Sequence, residues 1–242
     1  MKNTLLLLLI CCCGLTTEAW SQSFFFGLKG GPSLGVQNWN GFERDPLFKY
    51  HVTSFIETAQ EDARFALFAQ LGYHLKGSAI RNRNFFNPIN GQTFRPPPQE
   101  FIFRNIVLSV GAKRKYQLNN SMVYYMLGIR GDYTVSTNLD EFNTAFNSVF
   151  TTFPQPDGVQ EFNYGVIIGG GIEFPITEFI GAMVELTVNP DFSRQYRQPP
   201  AQNVYDPFTG NNITISEREI TNNTVELSIG FRFLRKVEYI ED

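Results

Sequence analysis

The stretch from Asn223 to Phe233 constrains this chain more than any other. It reads Asn-Thr-Val-Glu-Leu-Ser-Ile-Gly-Phe-Arg-Phe, with Val225, Leu227, Ile229, Phe231 and Phe233 on one face and Thr224, Glu226, Ser228, Gly230 and Arg232 on the other. Only an extended strand brings every second side chain to the same side. One face is wholly apolar and closed by aromatics, while the other carries charge. Such a strand belongs either to a half-buried sheet in water or to a barrel in lipid. Repetition of the pattern elsewhere decides between the two.

The pattern recurs along the chain. Alternating segments run over Phe24–Val36, about Phe48–Thr58, Ala63–Lys76, about Phe101–Tyr116, Met122–Thr134, Glu161–Phe174 and about Glu178–Asn189, before the stretch at Asn223. The apolar face of the third is Phe65, Leu67, Ala69, Leu71, Tyr73 and Leu75; that of the sixth is Phe162, Tyr164, Val166, Ile168, Ile172 and Phe174. A polar, aromatic loop with Trp39, Asn40, Gly41 and Asp45-Pro46 follows the first segment, further polar connections cover about 77–100, 135–160 and 190–218, and runs such as Pro96-Pro97-Pro98 cannot join a sheet. Between them lie tight turns at Gln60-Glu61-Asp62, Asn119-Asn120 and Pro175-Ile176-Thr177.

Connections therefore alternate long and short. A sandwich in water has no reason to sort loop length by end. An eight-stranded antiparallel up-and-down transmembrane β-barrel does, with short periplasmic turns and long outer loops. The polar face agrees. It carries Lys29, Arg64, Lys113, Arg130 and Arg232 against Glu57, Asp132, Glu173, Glu185 and Glu226, which balance in charge. An eight-stranded barrel is only wide enough inside for side chains, so these ten residues are expected to form a paired lumen network. Phe24 to Phe26, Tyr116, Phe174, Phe179, Phe231 and Phe233 fall at the expected periplasmic ends. Tyr50, Phe101, Phe103, Tyr133, Phe162 and Tyr164 fall at the outer ends, as two aromatic girdles would.

The beginning of the chain reads as a secretory signal. Met1-Lys2-Asn3 is basic, Leu5 to Cys13 is apolar but too short to span a bilayer, and Ala19-Trp20-Ser21 offers a cleavage site. The expected organisation is a signal peptide over 1–21, a barrel over 22–233 and a short periplasmic tail over 234–242. Cys11, Cys12 and Cys13 are all in the first piece, so the mature barrel is expected to lack disulfides and thiolate chemistry. No apolar run long enough for a transmembrane helix follows it. A net charge of −3 and the lack of a dense Lys/Arg run exclude a nucleic-acid partner.

Residues that could carry chemistry are few. The two histidines, His51 and His74, fall on adjacent strands and face inward, without a Cys or carboxylate at metal-ligand spacing. His51 with Asp45 is the one acid–base pair to nominate near the outer rim, and no Ser in a nucleophile motif accompanies it. Gly169-Gly170-Gly171 lies within a strand, not between a strand and a helix, so it is no phosphate loop; it makes room for long neighbours. No catalytic residue, metal or cofactor is expected.

The segments Phe26-Gly27-Leu28-Lys29-Gly30-Gly31-Pro32-Ser33 and Glu226-Leu227-Ser228-Ile229-Gly230-Phe231-Arg232-Phe233 resemble the first and last strands of the PorT-like outer-membrane β-barrel family of Bacteroidetes. The chain departs from that pattern by continuing through Leu234 to Asp242. The resemblance implies a monomeric barrel in the outer membrane of a Gram-negative bacterium. Its partners would be outer-membrane lipid and an envelope or secretion-system protein, with a link to type IX secretion or surface assembly. A non-enzymatic structural or partner-binding role is the expectation. The alternatives are a narrow porin-like channel and an outer-membrane lipid-modifying enzyme.

Overall fold

The computed structural model describes residues 23–40, 43–59, 64–81, 84–86, 91–95, 97–141, 156–205 and 210–236. The expected signal segment with its cysteines, and the tail beyond Lys236, lie outside the described residues. Strands are β1 (Phe24–Trp39), β2 (Asp45–Thr58), β3 (Phe65–Ile80), β4 (Phe85–Phe86), β5 (Thr93–Phe94), β6 (Gln99–Leu118), β7 (Ser121–Thr137), β8 (Phe162–Pro175), β9 (Ile180–Pro190), β10 (Tyr196–Gln198), β11 (Ala201–Tyr205), β12 (Asn212–Ile215) and β13 (Arg218–Arg235).

Eight of these form an antiparallel ring in the order β1-β2-β3-β6-β7-β8-β9-β13, and β1 pairs with β13 to close it. The closing seam runs from Phe24 opposite Arg235 to Trp39 opposite Ile220. Gly31 and Pro32 drop out of that ladder but stay in register with His51 and Tyr50 of β2. Pro32 has no N–H to donate, so the break falls where the chain cannot make the bond. β10 adds to the upper part of β13, while β11–β12 and β4–β5 form separate hairpins. At the tight β6–β7 turn, Leu118 faces Ser121 and Asn119 takes φ +52°, a left-handed conformation that Asn tolerates.

Burial alternates around the ring, and its sense is inverted relative to a protein in water. Apolar side chains face outward, with Leu28 62%, Phe48 64% and Ile129 67% exposed, while charged side chains face inward. A continuous apolar wall of this kind fits hydrocarbon and not water. No described helix is long and apolar enough to cross a membrane.

The strands are longer than the alternation indicates. β3 continues to Ile80 where Lys76 was the expected end, β7 to Thr137 past Thr134, and β13 begins at Arg218 ahead of Asn223. All of this added length is at the long-loop end. About 9–11 residues of tilted strand span hydrocarbon, and β6 has 20. Beyond the hydrocarbon nothing enforces an apolar outer face, so the ladder continues without the signature. Part of each expected loop is therefore sheet, and His74 to Ile80 is buried on both faces, including Leu75, which was expected to face outward. Phe101 and Phe103 also depart from expectation. They sit near the loop end as anticipated, but they face inward and are fully buried rather than joining an outer girdle. With Ile80, Leu139 and Val159 they form an apolar plug over the lumen.

Candidate functional site

The lumen is where charge and burial coincide, and its composition follows from strand parity. Odd residues of β1, β2, β6, β8 and β9 and even residues of β3, β7 and β13 point inward. Nine of the ten residues expected in the network, Lys29, Glu57, Lys113, Arg130, Asp132, Glu173, Glu185, Glu226 and Arg232, are there, none more than 9% exposed. Arg64 is not. β3 starts at Phe65, so Arg64 lies just past the strand end at the short-turn rim and is exposed.

Ion pairs join these residues across the barrel. Arg232 meets Glu173, Glu173 meets Lys115 at 3.1 Å, and Lys115 meets Glu57. From there Glu57 pairs with Lys113 at 2.9 Å, Lys113 approaches Glu185 at 3.8 Å, and Glu185 pairs with Lys29. The result is an unbroken alternation of cation and carboxylate from β13 through β8, β6, β2 and β9 to β1. Tyr124 donates to the other Glu185 oxygen at 2.6 Å.

Nearer the loop end, Lys76, Asp132, Arg130 and Asp191 form a closed four-membered ring. Lys76 contacts Asp132 at 2.5 Å and Asp191 at 3.7 Å, while Arg130 contacts Asp132 at 3.2 Å and also Asp191. Between chain and ring, His74 Nδ1 bonds Glu226 at 2.6 Å and His51 Nε2 bonds Ser228 Oγ at 2.8 Å. The two imidazoles stack with centroids 5.2 Å apart.

Lys76, Lys115 and Asp191 were missed as network members. Lys76 and Lys115 continue the inward parity of His74 and Lys113, and Asp191 continues that of Glu185 just past the expected strand end, so extending the parity would have found them. The buried cations Lys29, Lys76, Lys113, Lys115, Arg130 and Arg232 are then equal in number to the carboxylates Glu57, Asp132, Glu173, Glu185, Asp191 and Glu226, although Lys113 and Lys115 share Glu57 and Glu226 meets His74. Neutrality of this kind is what a dry lumen requires, because an unpaired buried charge is very costly.

The lumen also carries apolar side chains that the sequence reading did not anticipate. Phe55, Phe68, Tyr124, Met126, Ile167 and Met183 form a buried cluster. Lys113 Nζ sits 4.4 Å from the Tyr124 ring centroid, 5.5 Å from Phe55 and 5.8 Å from Phe68, where ring quadrupoles favour a desolvated ammonium.

The nominated His51–Asp45 pair is not assembled. Asp45 accepts from the Arg81 amide at 2.7 Å, and His51 turns to Ser228 and His74. Ser228 and His51 are a hydroxyl–imidazole pair, but the cavity beside them holds about 10 Å³, room for about one water. No group of three metal-ligating side chains occurs among the described residues. A larger recess of about 290 Å³ opens at the short-turn end, below Phe25, Met122, Lys115 and Arg232.

No protein-family model matches the chain, and no curated protein matches it. Solved structures do. The outer membrane protein OprG from Pseudomonas aeruginosa is 9% identical, with 90% of this chain and 97% of that chain covered and a TM-score of 0.51. Neisserial surface protein A is 10% identical over 87% of this chain and 96% of its own, at a TM-score of 0.40. Outer membrane protein W of Escherichia coli is 10% identical over 88% and 98%, at 0.36. The fold of this chain is the eight-stranded up-and-down barrel found in small outer-membrane proteins.

Proposed function

We propose that this chain is an integral outer-membrane barrel with a non-enzymatic structural or partner-binding role. In this reading it resides as a monomer in the outer membrane of a Gram-negative bacterium, with its short turns in the periplasm and its hairpins outside. The observation that carries the proposal is the ion-paired chain from Arg232 to Lys29, which crosses the lumen; above it the cavity beside His51 and His74 has room for about one water. A barrel filled in this way acts through its rims, its loops and its wall. The resemblance to PorT-like barrels supports a finer assignment, to type IX secretion or surface assembly.

Three experiments test the proposal. Planar-bilayer recording of the purified barrel is expected to show no conductance steps, and steady single-channel steps would restore the porin-like alternative. In cells, cross-linking from intact outer membranes should capture an envelope protein with the full-length chain. A form lacking the β11–β12 hairpin should lose that capture. Normal export through the type IX route in cells lacking the chain would remove the finer assignment.

A further inference from the structure

The apolar wall ends at the short-turn rim in arginines that no carboxylate meets. Along β6 the outward side chains are Ile106, Leu108, Val110 and Ala112, then Arg114 and Tyr116. Arg114 stands directly across from Phe65 of β3 and from Tyr125 of β7. Its guanidinium carbon lies 5.1 Å from the Phe65 ring centroid and 5.5 Å from that of Tyr116, and the two tyrosine rings are 6.0 Å apart. Arg235, next to the seam, repeats the arrangement at 5.6 Å from the ring of Phe24 opposite. Among the described residues neither arginine forms a salt bridge; the Arg114 side chain is hydrogen-bonded to that of Tyr125, while its Nε is buried without a hydrogen-bond partner. At the opposite rim Lys49, Arg81, Arg194 and Arg197 each meet a carboxylate.

A guanidinium held against aromatic faces directs its N–H edge away from them, in a fork that matches two oxygens of one anion. Arg114 lies one outward position below Ala112, where hydrocarbon gives way to headgroups, and tyrosines flank it as they do at membrane interfaces. An unpaired cation at that depth needs an anion from the lipid, and the anion that lipid presents there is phosphate. We propose that Arg114, framed by Phe65, Tyr116 and Tyr125, binds the phosphate of a phospholipid headgroup in the periplasmic leaflet. The site fixes the depth of the barrel in the bilayer, with Arg235 as a second point on the same ring.

The proposal rests on the bilayer placement above, and one experiment separates the two. The full-length barrel, Arg114→Gln and Arg114→Lys are inserted into vesicles, extracted in mild detergent and titrated with phosphatidylglycerol, with retained lipid read by native mass spectrometry. Arg114→Gln is expected to weaken retention about tenfold, the size of one charge-assisted hydrogen-bonded pair. Arg114→Lys, which keeps charge but not the fork, should fall between the two. Arg197→Gln at the other rim should retain lipid as the parent does, and excess inorganic phosphate should not displace it. Equal retention by the parent and Arg114→Gln, both shown folded by heat-modifiable migration, overturns the proposal. Displacement by inorganic phosphate overturns its assignment to lipid. Failure of every form to insert overturns the bilayer placement and this proposal together.

Discussion

At the residue scale Glu185 holds the lumen together. Its carboxylate takes Lys29, Lys113 and the Tyr124 hydroxyl, and all four groups are buried. Glu185→Gln leaves two ammonium groups facing a neutral amide, and removing one partner of a buried pair costs about 3–5 kcal/mol. Tyr124→Phe removes a single hydrogen bond to a charged group and should cost about 1.5–3 kcal/mol. Urea unfolding of the refolded barrel, followed by gel migration, ranks the two; equal effects would mean that the carboxylate charge is not what matters. Outside the spanning region the stakes are smaller. Hydrogen bonding to Lys49, aided by Arg81, holds the Glu100 carboxyl below the ordinary range although burial opposes it. A depressed folded value adds stability above the unfolded carboxylate value of about 4.3 and loses it as pH falls further. Because these side chains are 23–34% exposed, Glu100→Gln should cost under about 1 kcal/mol at neutral pH. That difference should vanish in acid; a constant difference across the titration would exclude the ion pair as its source.

At the element scale, glycines set how closely strands and long side chains approach. Gly171 of β8 faces inward, and a Cβ there would stand 2.6 Å from the Tyr124 hydroxyl and 2.5 Å from the Val184 carbonyl. The missing side chain is what lets Tyr124 reach Glu185, as the glycine run in this strand suggested. Gly171→Ala is therefore expected to cost about 1–3 kcal/mol. Gly131→Ala, where a Cβ meets only the Phe162 ring at 3.6 Å, should stay within about 0.5 kcal/mol. Similar melting of the two variants would refute this account of the run. Gly77 is a different case. At φ +152° a Cβ would also run into the Phe101 carbonyl across the β3–β6 ladder. The sequence alone places Gly77 in a loop, because the alternation of apolar and polar residues fades there.

For the whole molecule, closure is redundant. The Phe101–Phe103 plug covers the loop end, and the ion-paired chain crosses the lumen below it. Phe101→Ala combined with Phe103→Ala should uncover the upper lumen without opening a conducting path. Bilayer recording of that double variant is expected to stay silent. Steady steps would show that the plug alone closes the barrel and that the chain of charges is permeable.

Parity alone determined the eight strands of the ring, the apolar outward face and nine of the ten inward charges, since a closed eight-stranded ring leaves alternate residues only two destinations. Three connections at one end are long, as the order of turns and Pro-rich runs indicates, while the first connection expected to be long is only 40–44, between β1 and β2. What only the tertiary structure decided is how far the strands rise past the bilayer, because hydrogen-bonded ladder outside hydrocarbon needs no apolar face. It also decided who pairs with whom. Lys29 and Glu185 are 156 residues apart, and no periodicity relates them. Arg64 and Arg114 make the same point from outside: parity assigned Arg64 to the lumen, but the strand stops one residue short of it. Arg114 acquired its setting only when Phe65 and Tyr125 were brought alongside from neighbouring strands.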